Sequence, residues 1–349
     1  MKLEKYADVV AYLSGKKRTA HLLLGNGFSM AYDPGIFSYN ALYDFVQKTE
    51  NELLSKLFEI VNTKNFELVM QQLDNFSELL EVFGSDDTLK ARVAEASSQL
   101  KRSLIDAVKS LHPSHVFTIP DNKSRACSAF LTPFIENGGQ IFTTNYDILL
   151  YWVLMRNEIE NAVDGFGRER LNDDEYVPEE EVEYSELRWG KHKDSQNIHY
   201  LHGALPIFDT GVEIEKEQYT SENYLLRNIE ERLEKKEYPI FVTAGTPREK
   251  LTHIMHNRYL VFCYEQLTQL VGSLITFGFN FGLYDEHIIE AINIAAKHGK
   301  RAGDKLFSVY IGVYSDADRR HIESIEDKFK CKVHIFDAKT ANVWQDSKT

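Results

Sequence analysis

The sequence predicts an α/β fold of the Rossmann-like, doubly wound kind, with a mostly parallel sheet and an inserted helical layer, on three observations. Short, nearly continuous apolar runs recur, among them HLLL (21–24), SLITFGFN (273–280) and LFSVYIGVYS (306–315), which is how strands buried on both faces read. Helical stretches such as YDEHIIEAINIAAKHG and DADRRHIESIEDKF stand between the late runs, so the economical assembly is a parallel sheet covered by helices on both sides. Glycine-bearing turns follow directly on two of the runs, GNGFS after the first and GFNFG after the second. Ligands of doubly wound folds lie there, at the carboxyl ends of the strands.

Taken in order, residues 1–15 form an amphipathic helix with Leu3, Tyr6, Val9, Val10 and Leu13 on one face, leading into a strand at 20–24. From about 40 to 137 apolar residues repeat every three or four positions with no convincing strand between them, so a helical layer of four or five helices is expected after the first strand. Its bland role is a cover over the sheet; its functional role would be an interaction surface. Strands are expected again at 138–147, 160–166, 197–205, 237–245, 273–280, 306–315 and 331–337. The stretch 168–194 is dense in carboxylates and reads as a solvated excursion, or else as a lid over the site. Everything belongs to one domain over 1–349.

The bulk numbers exclude several classes of function. A net charge of −13 speaks against a protein built to grip nucleic acid, which needs clustered Lys and Arg. No apolar run approaches the ~20 residues of a membrane span, and the N-terminus lacks the pattern of a secretory signal, so a cytoplasmic location is expected. Cys127, Cys263 and Cys331 stand far apart with no CxxC pair, which excludes a four-cysteine zinc site, and no metal is expected.

Four short stretches at strand ends could carry chemistry. In GNGFS (Gly25, Asn26, Gly27, Phe28, Ser29) glycines would let the backbone approach a pyrophosphate at a helix N-terminus, or merely make a tight turn. TTNYD gathers Thr143, Thr144, Asn145 and Asp147, of which Asp147 could simply cap the next helix. YLHG offers His202 as a general base, with Gly203 leaving room for a ligand, while the neighbouring His199 faces the other way. GFNFGLYDEHI places Gly278, Asn280 and Asp285 around the start of a helix, as a second wall for a nucleotide or as an ordinary strand-to-helix turn. The segment 241–260, with Gly245, Thr246, Arg248 and Lys250, reads either as a phosphate or partner site or as a capped helix start.

In this order the four stretches resemble the sirtuin-like domains of bacterial anti-phage defence proteins and, more distantly, the sirtuin deacetylases, in which a G-A-G-x-S loop, a T-x-N-x-D segment, an H-G pair and a late G-x-S turn line an NAD pocket. The helix NFELVMQQL with Glu67 and the DGF at 164–166 are also similar to the defence-type members. Asn26 and Asn280 depart from the pattern, standing where the family has alanine and serine. The resemblance implies NAD as substrate and a glycohydrolase releasing nicotinamide and ADP-ribose. Asn145 would orient the ribose and a water, His202 would accept a proton, Asp147 would hold the geometry and stabilise positive charge, and Gly25 to Ser29 would hold the pyrophosphate. It also implies a suppressed effector, held as a homo-oligomer or by a companion protein. A non-catalytic NAD or ADP-ribose sensor is the alternative; a deacylase or ADP-ribosyltransferase fits less well because it needs a groove for a second substrate, and the missing zinc module counts against the deacylase.

Overall fold

The computed structural model describes residues 3–37, 52–62, 66–84, 86–171, 182–235, 237–242, 246–297 and 304–345. Residues 40–51 of the expected helical layer, 172–181 of the acidic stretch, Gly245, and the side chain of Glu67 lie outside the described residues.

Along the described chain the strands are β1 (Glu4–Lys5), β2 (Ala20–Leu24), β3 (Ile141–Thr143), β4 (Phe166–Gly167), β5 (Leu187–Trp189), β6 (Ile198–Tyr200), β7 (Gly203–Asp209), β8 (Ile214–Lys216), β9 (Pro239–Phe241), β10 (Gly272–Phe277), β11 (Leu306–Val313) and β12 (Lys332–Asp337). Seven of them make one parallel sheet in the order β1-β12-β11-β10-β2-β3-β6. All six residues of β10 and the last four of β2 are buried, as expected of strands covered on both faces. From β2 the chain winds outward through β3 to β6, then returns to the other side of β2 and winds outward through β10, β11 and β12. The direction of winding reverses between β2 and β10, and in a doubly wound sheet that reversal opens a crevice.

Register makes that edge useful. Phe277 pairs with Leu24, Leu24 with Thr143, and Thr143 with Tyr200, so β10, β2, β3 and β6 end level. Gly278, Gly25, Thr144 and Leu201 therefore leave the sheet side by side, and all four stretches singled out above gather at one edge.

A second, antiparallel sheet, β4-β5-β8-β7-β9, was not expected. The run 197–205, read as one strand, is two: β6 ends at Tyr200, Leu201 and His202 turn, and β7 begins at Gly203 in the other sheet. Gly203 has φ +78°, and a Cβ there would lie 1.9 Å from the Ile240 carbonyl oxygen, so the glycine serves the close passage of β9. Of 160–166 only Phe166 joins a strand, and part of the carboxylate-rich stretch is β5. Lys216 of β8 reaches the Asp164 carboxylate, with its ammonium 4.5 Å from the Tyr151 ring centre and 5.1 Å from that of Phe166. This pair ties the DGF turn to the second sheet.

The expected helical layer divides. Helix Asp121–Glu136 buries Cys127, Phe130, Leu131, Phe134 and Ile135 in the core over the parallel sheet. Helices Glu52–Val61, Phe66–Val82 and Asp87–Leu111 pack on one another, and their buried Leu54, Phe58, Val69, Leu73 and Leu100 stand apart from that core. A layer with its own apolar interior is more than a cover.

Candidate functional site

The carboxyl edge of the parallel sheet holds two buried polar groups. The first joins the loops after β2 and β3. The Ser29 hydroxyl donates to Asp147 Oδ2, and Asn145 Nδ2 donates to Ser29 Oγ at 2.9 Å. Asp147 Oδ1 accepts from the Leu149 amide at 2.9 Å, the first amide of helix Leu149–Arg156, whose N-cap is Ile148. One oxygen of Asp147 thus holds the helix start while the other organises the site. Burial pushes the Asp147 carboxyl up from its ordinary value, and the bonds from Ser29 and Leu149 oppose that rise. Asn145 is held from behind by its amide, which donates to Thr143 Oγ1 at 3.0 Å, yet its Oδ1 is buried with no hydrogen-bond partner. An acceptor left bare in this way costs about 1–3 kcal/mol, and a ligand donor would recover it.

The glycine turn lies beside this group at the reversal point. The Gly25 amide donates to the Phe277 carbonyl at 3.0 Å and the Gly27 amide to the Gly278 carbonyl at 2.9 Å. A Cβ on Gly27 would come within 2.5 Å of Gly278 Cα, and one on Gly278, at φ +69°, within 2.5 Å of the Phe28 amide nitrogen. These glycines let two loops touch, and two of the amides expected to face a pyrophosphate are engaged. Phe28 is buried against Trp344, 5.1 Å between ring centres, and its carbonyl accepts the indole N–H. The Thr144 amide donates to the Leu24 carbonyl at 3.1 Å; Asn26 is half-buried and Asn280 exposed.

The second group centres on His202, in the turn between β6 and β7. Its Nε2 lies 2.9 Å from Nε2 of His287, on helix Glu286–Lys297, with the rings stacked at 5.1 Å. Lys250, fully buried in the first turn of helix Pro247–His256, makes an ion pair with Asp285 Oδ1 at 3.3 Å. Burial first, then His287 and the charge of Lys250, push His202 well below its ordinary value. Burial and Lys250 likewise push His287 down to about 3, against a raising contribution from the Tyr284 backbone. Both imidazoles are neutral at pH 7.

Thr246 caps helix Pro247–His256 through reciprocal bonds with Glu249, so the capped-start reading of that segment holds for its helix. The same helix nevertheless delivers Lys250 to the histidines. His287 escaped the sequence reading, although it stands last but one in GFNFGLYDEHI; the signal was a histidine on the apolar face of its helix. His112 escaped as well, and its Nε2 accepts the Ile148 amide at 3.2 Å, bracing the turn that carries Asp147. His199 is buried on β6 with its ring stacked on Phe142, whereas His202 lies beyond the end of that strand, so strand alternation does not relate the two.

No curated protein matches this chain. A family model described as "Domain of unknown function (DUF4917)" matches residues 22–344, a span from within β2 to Trp344 that takes in both polar groups and, among the described strands, all those after β2. On that coverage the chain belongs to the DUF4917 family.

Proposed function

We propose that the protein is an NAD hydrolase that cleaves the nicotinamide–ribose bond and releases nicotinamide and ADP-ribose. The observation that carries this reading is Asn145 Oδ1, a buried acceptor without a partner, fixed by Ser29 and Thr143 on the level edge of β10, β2, β3 and β6. Cleavage of this bond builds positive charge on the ribose while the leaving group takes the bonding electron pair. Asn145 accepts from a ribose hydroxyl and orients the water, and the Asp147 carboxylate holds Ser29 in place and faces the developing charge. The water oxygen bonds to the ribose carbon, nicotinamide departs with the electron pair, and the released proton goes to the neutral imidazole of His202.

The engaged amides of Gly25 and Gly27 give this reading a further term. Binding the pyrophosphate requires the two loops to part and exchange two backbone bonds for contacts with the ligand. An enzyme shut in this way is a suppressed one, in keeping with a defence effector, a cytoplasmic location, and control by a homo-oligomer or a companion protein. The exposed Ile60, Phe76, Leu79, Val82 and Phe83 of the helical layer support such a contact surface. Among the described residues no helix is long and apolar enough to cross a membrane. The same closed loops favour the second reading, a sensor that opens on NAD without cleaving it.

The deciding experiment incubates the purified chain with NAD and no acceptor protein, then follows both products by chromatography. Equal amounts of nicotinamide and ADP-ribose are expected, with a loss of at least about 10²-fold for His202→Ala. Binding without release would leave a sensor or an enzyme awaiting its activator, and release unchanged by His202→Ala would refute the assignment.

A further inference from the structure

The His202–His287 contact has a chemical consequence that the sheet edge alone does not dictate. Two neutral imidazoles joined through their Nε2 atoms need one N–H and one lone pair, so the tautomer of one ring sets that of the other. We propose that His287 is the positioning residue for His202: it accepts the His202 Nε2–H, leaving Nδ1 of His202 as the basic atom, while Lys250 keeps the pair from taking up a second proton. The proposal rests on the reading of His202 as the proton acceptor of NAD hydrolysis.

The surroundings of the pair hold both rings in place. His287 is fully buried on the first turn of its helix, and its carbonyl accepts the Tyr264 hydroxyl at 3.0 Å, which fixes the backbone that carries the ring. His202 is locked by the turn into β7, its carbonyl accepting the Val242 amide at 3.0 Å. The Tyr146 ring lies along His202 at 6.5 Å and its hydroxyl donates to the Val242 carbonyl. Among the described residues, the charged and titratable groups that bear on the pair are Lys250 with its partner Asp285, and the phenols Tyr146 and Tyr264. Lys250 bears on both rings and disfavours their protonation. A proton taken at Nδ1 is therefore held weakly and given back to solvent after each turnover, while the Nε2–H bond to His287 stays in place.

The test uses the full chain labelled with ¹⁵N-histidine, long-range ¹H–¹⁵N spectra to read the His202 tautomer, and steady-state NAD kinetics. The wild type is expected to show His202 protonated at Nε2. His287→Phe keeps a ring but no acceptor; it should give mixed His202 tautomers and a kcat lower by about 10²-fold with KM unchanged. His287→Gln, whose amide oxygen can accept the Nε2–H, should restore at least about tenfold of that loss. Lys250→Met should bring the titration of the pair up toward the ordinary value near 6.5. A His202 protonated at Nδ1 in the wild type, an unaltered tautomer in His287→Phe, or an unmoved titration in Lys250→Met would overturn the proposal, and the last also decides the matter if the Phe variant fails to fold. The spectra need no NAD. Should the wild type release no nicotinamide while the tautomer responds as stated, the coupling of the pair stands without the hydrolase reading; normal release with an unresponsive tautomer sinks the coupling alone.

Discussion

Two buried lysines, each paired with a half-buried aspartate and one in each sheet region, differ in what surrounds them. Lys216 and Asp164 lie in the antiparallel region among Tyr151, Phe166 and Tyr259, where the titratable neighbours are phenols and the Cys263 thiol. Lys250 and Asp285 lie at the carboxyl edge of the parallel sheet, where the charge of the lysine falls on His202 and His287. The first pair meets groups that titrate in alkali and acts as a tie between loop and strand. The second meets groups whose ordinary value is near neutrality, so the same chemistry becomes a control on proton transfer. Neighbours, rather than the pair, decide whether a buried charge is structural or functional.

The largest expected effect separates the regions by pH. His112 is pushed to about 4, His199 and His287 to about 3, and His202 well below its ordinary value, all chiefly by burial. Above the unfolded value of 6.5 both states are neutral and this stability is fully present. Below it the unfolded chain binds protons that the native state refuses, so stability is lost from pH 6.5 down toward the folded values, by about 1.4 kcal/mol per pH unit for each histidine. In the Lys216 region the signs reverse: burial pushes Cys263 up to about 12 and Tyr200 and Tyr259 well above 10. That contribution is complete below pH 9 and is lost as pH rises toward the folded values. Urea midpoints between pH 5 and 11 should fall on both sides, and a flat acid limb would remove the neutral histidines from the account.

Asp164→Asn comes next. It leaves the Lys216 charge buried without its partner and should cost about 3–5 kcal/mol in urea unfolding, with histidine titrations unmoved. A shift of His202 in this variant would break the separation of the two regions. Ser29→Ala removes the donor to the buried Asp147 carboxylate and should cost about 1.5–3 kcal/mol, with the Asp147 carboxyl moving further up by NMR titration. Gly278→Ala forces a side chain into the loop contact at positive φ and should cost upward of about 1 kcal/mol in melting experiments. A neutral result there would mean that the two loops are already able to part.

The parallel sheet was legible because its strands are buried on both faces and spell out their apolar runs, as in β2, β10 and β11. The antiparallel sheet was not. Its strands β4, β5 and β8 are two or three residues long, with sequences FG, LRW and IEK that carry no period, and pairing alone makes them strands. The bend at Leu201 and His202 was hidden inside an apolar run, with Gly203 its one mark. At the site, the gathering of Ser29, Asn145, Asp147 and His202 at one edge was legible from turns after strands. Lys250 and His287 were harder, because a lysine beside a helix cap reads as solvated until tertiary packing closes over it.

The central claim is that the glycine turn and its three companions form one NAD site, and hydrogen exchange tests it most directly. The His202→Ala chain, which keeps NAD intact on this account, would be compared with and without saturating NAD. Slower exchange confined to peptides covering 24–32, 141–149, 199–204 and 277–287 is the predicted result. Protection elsewhere, or none at all, would contradict the claim.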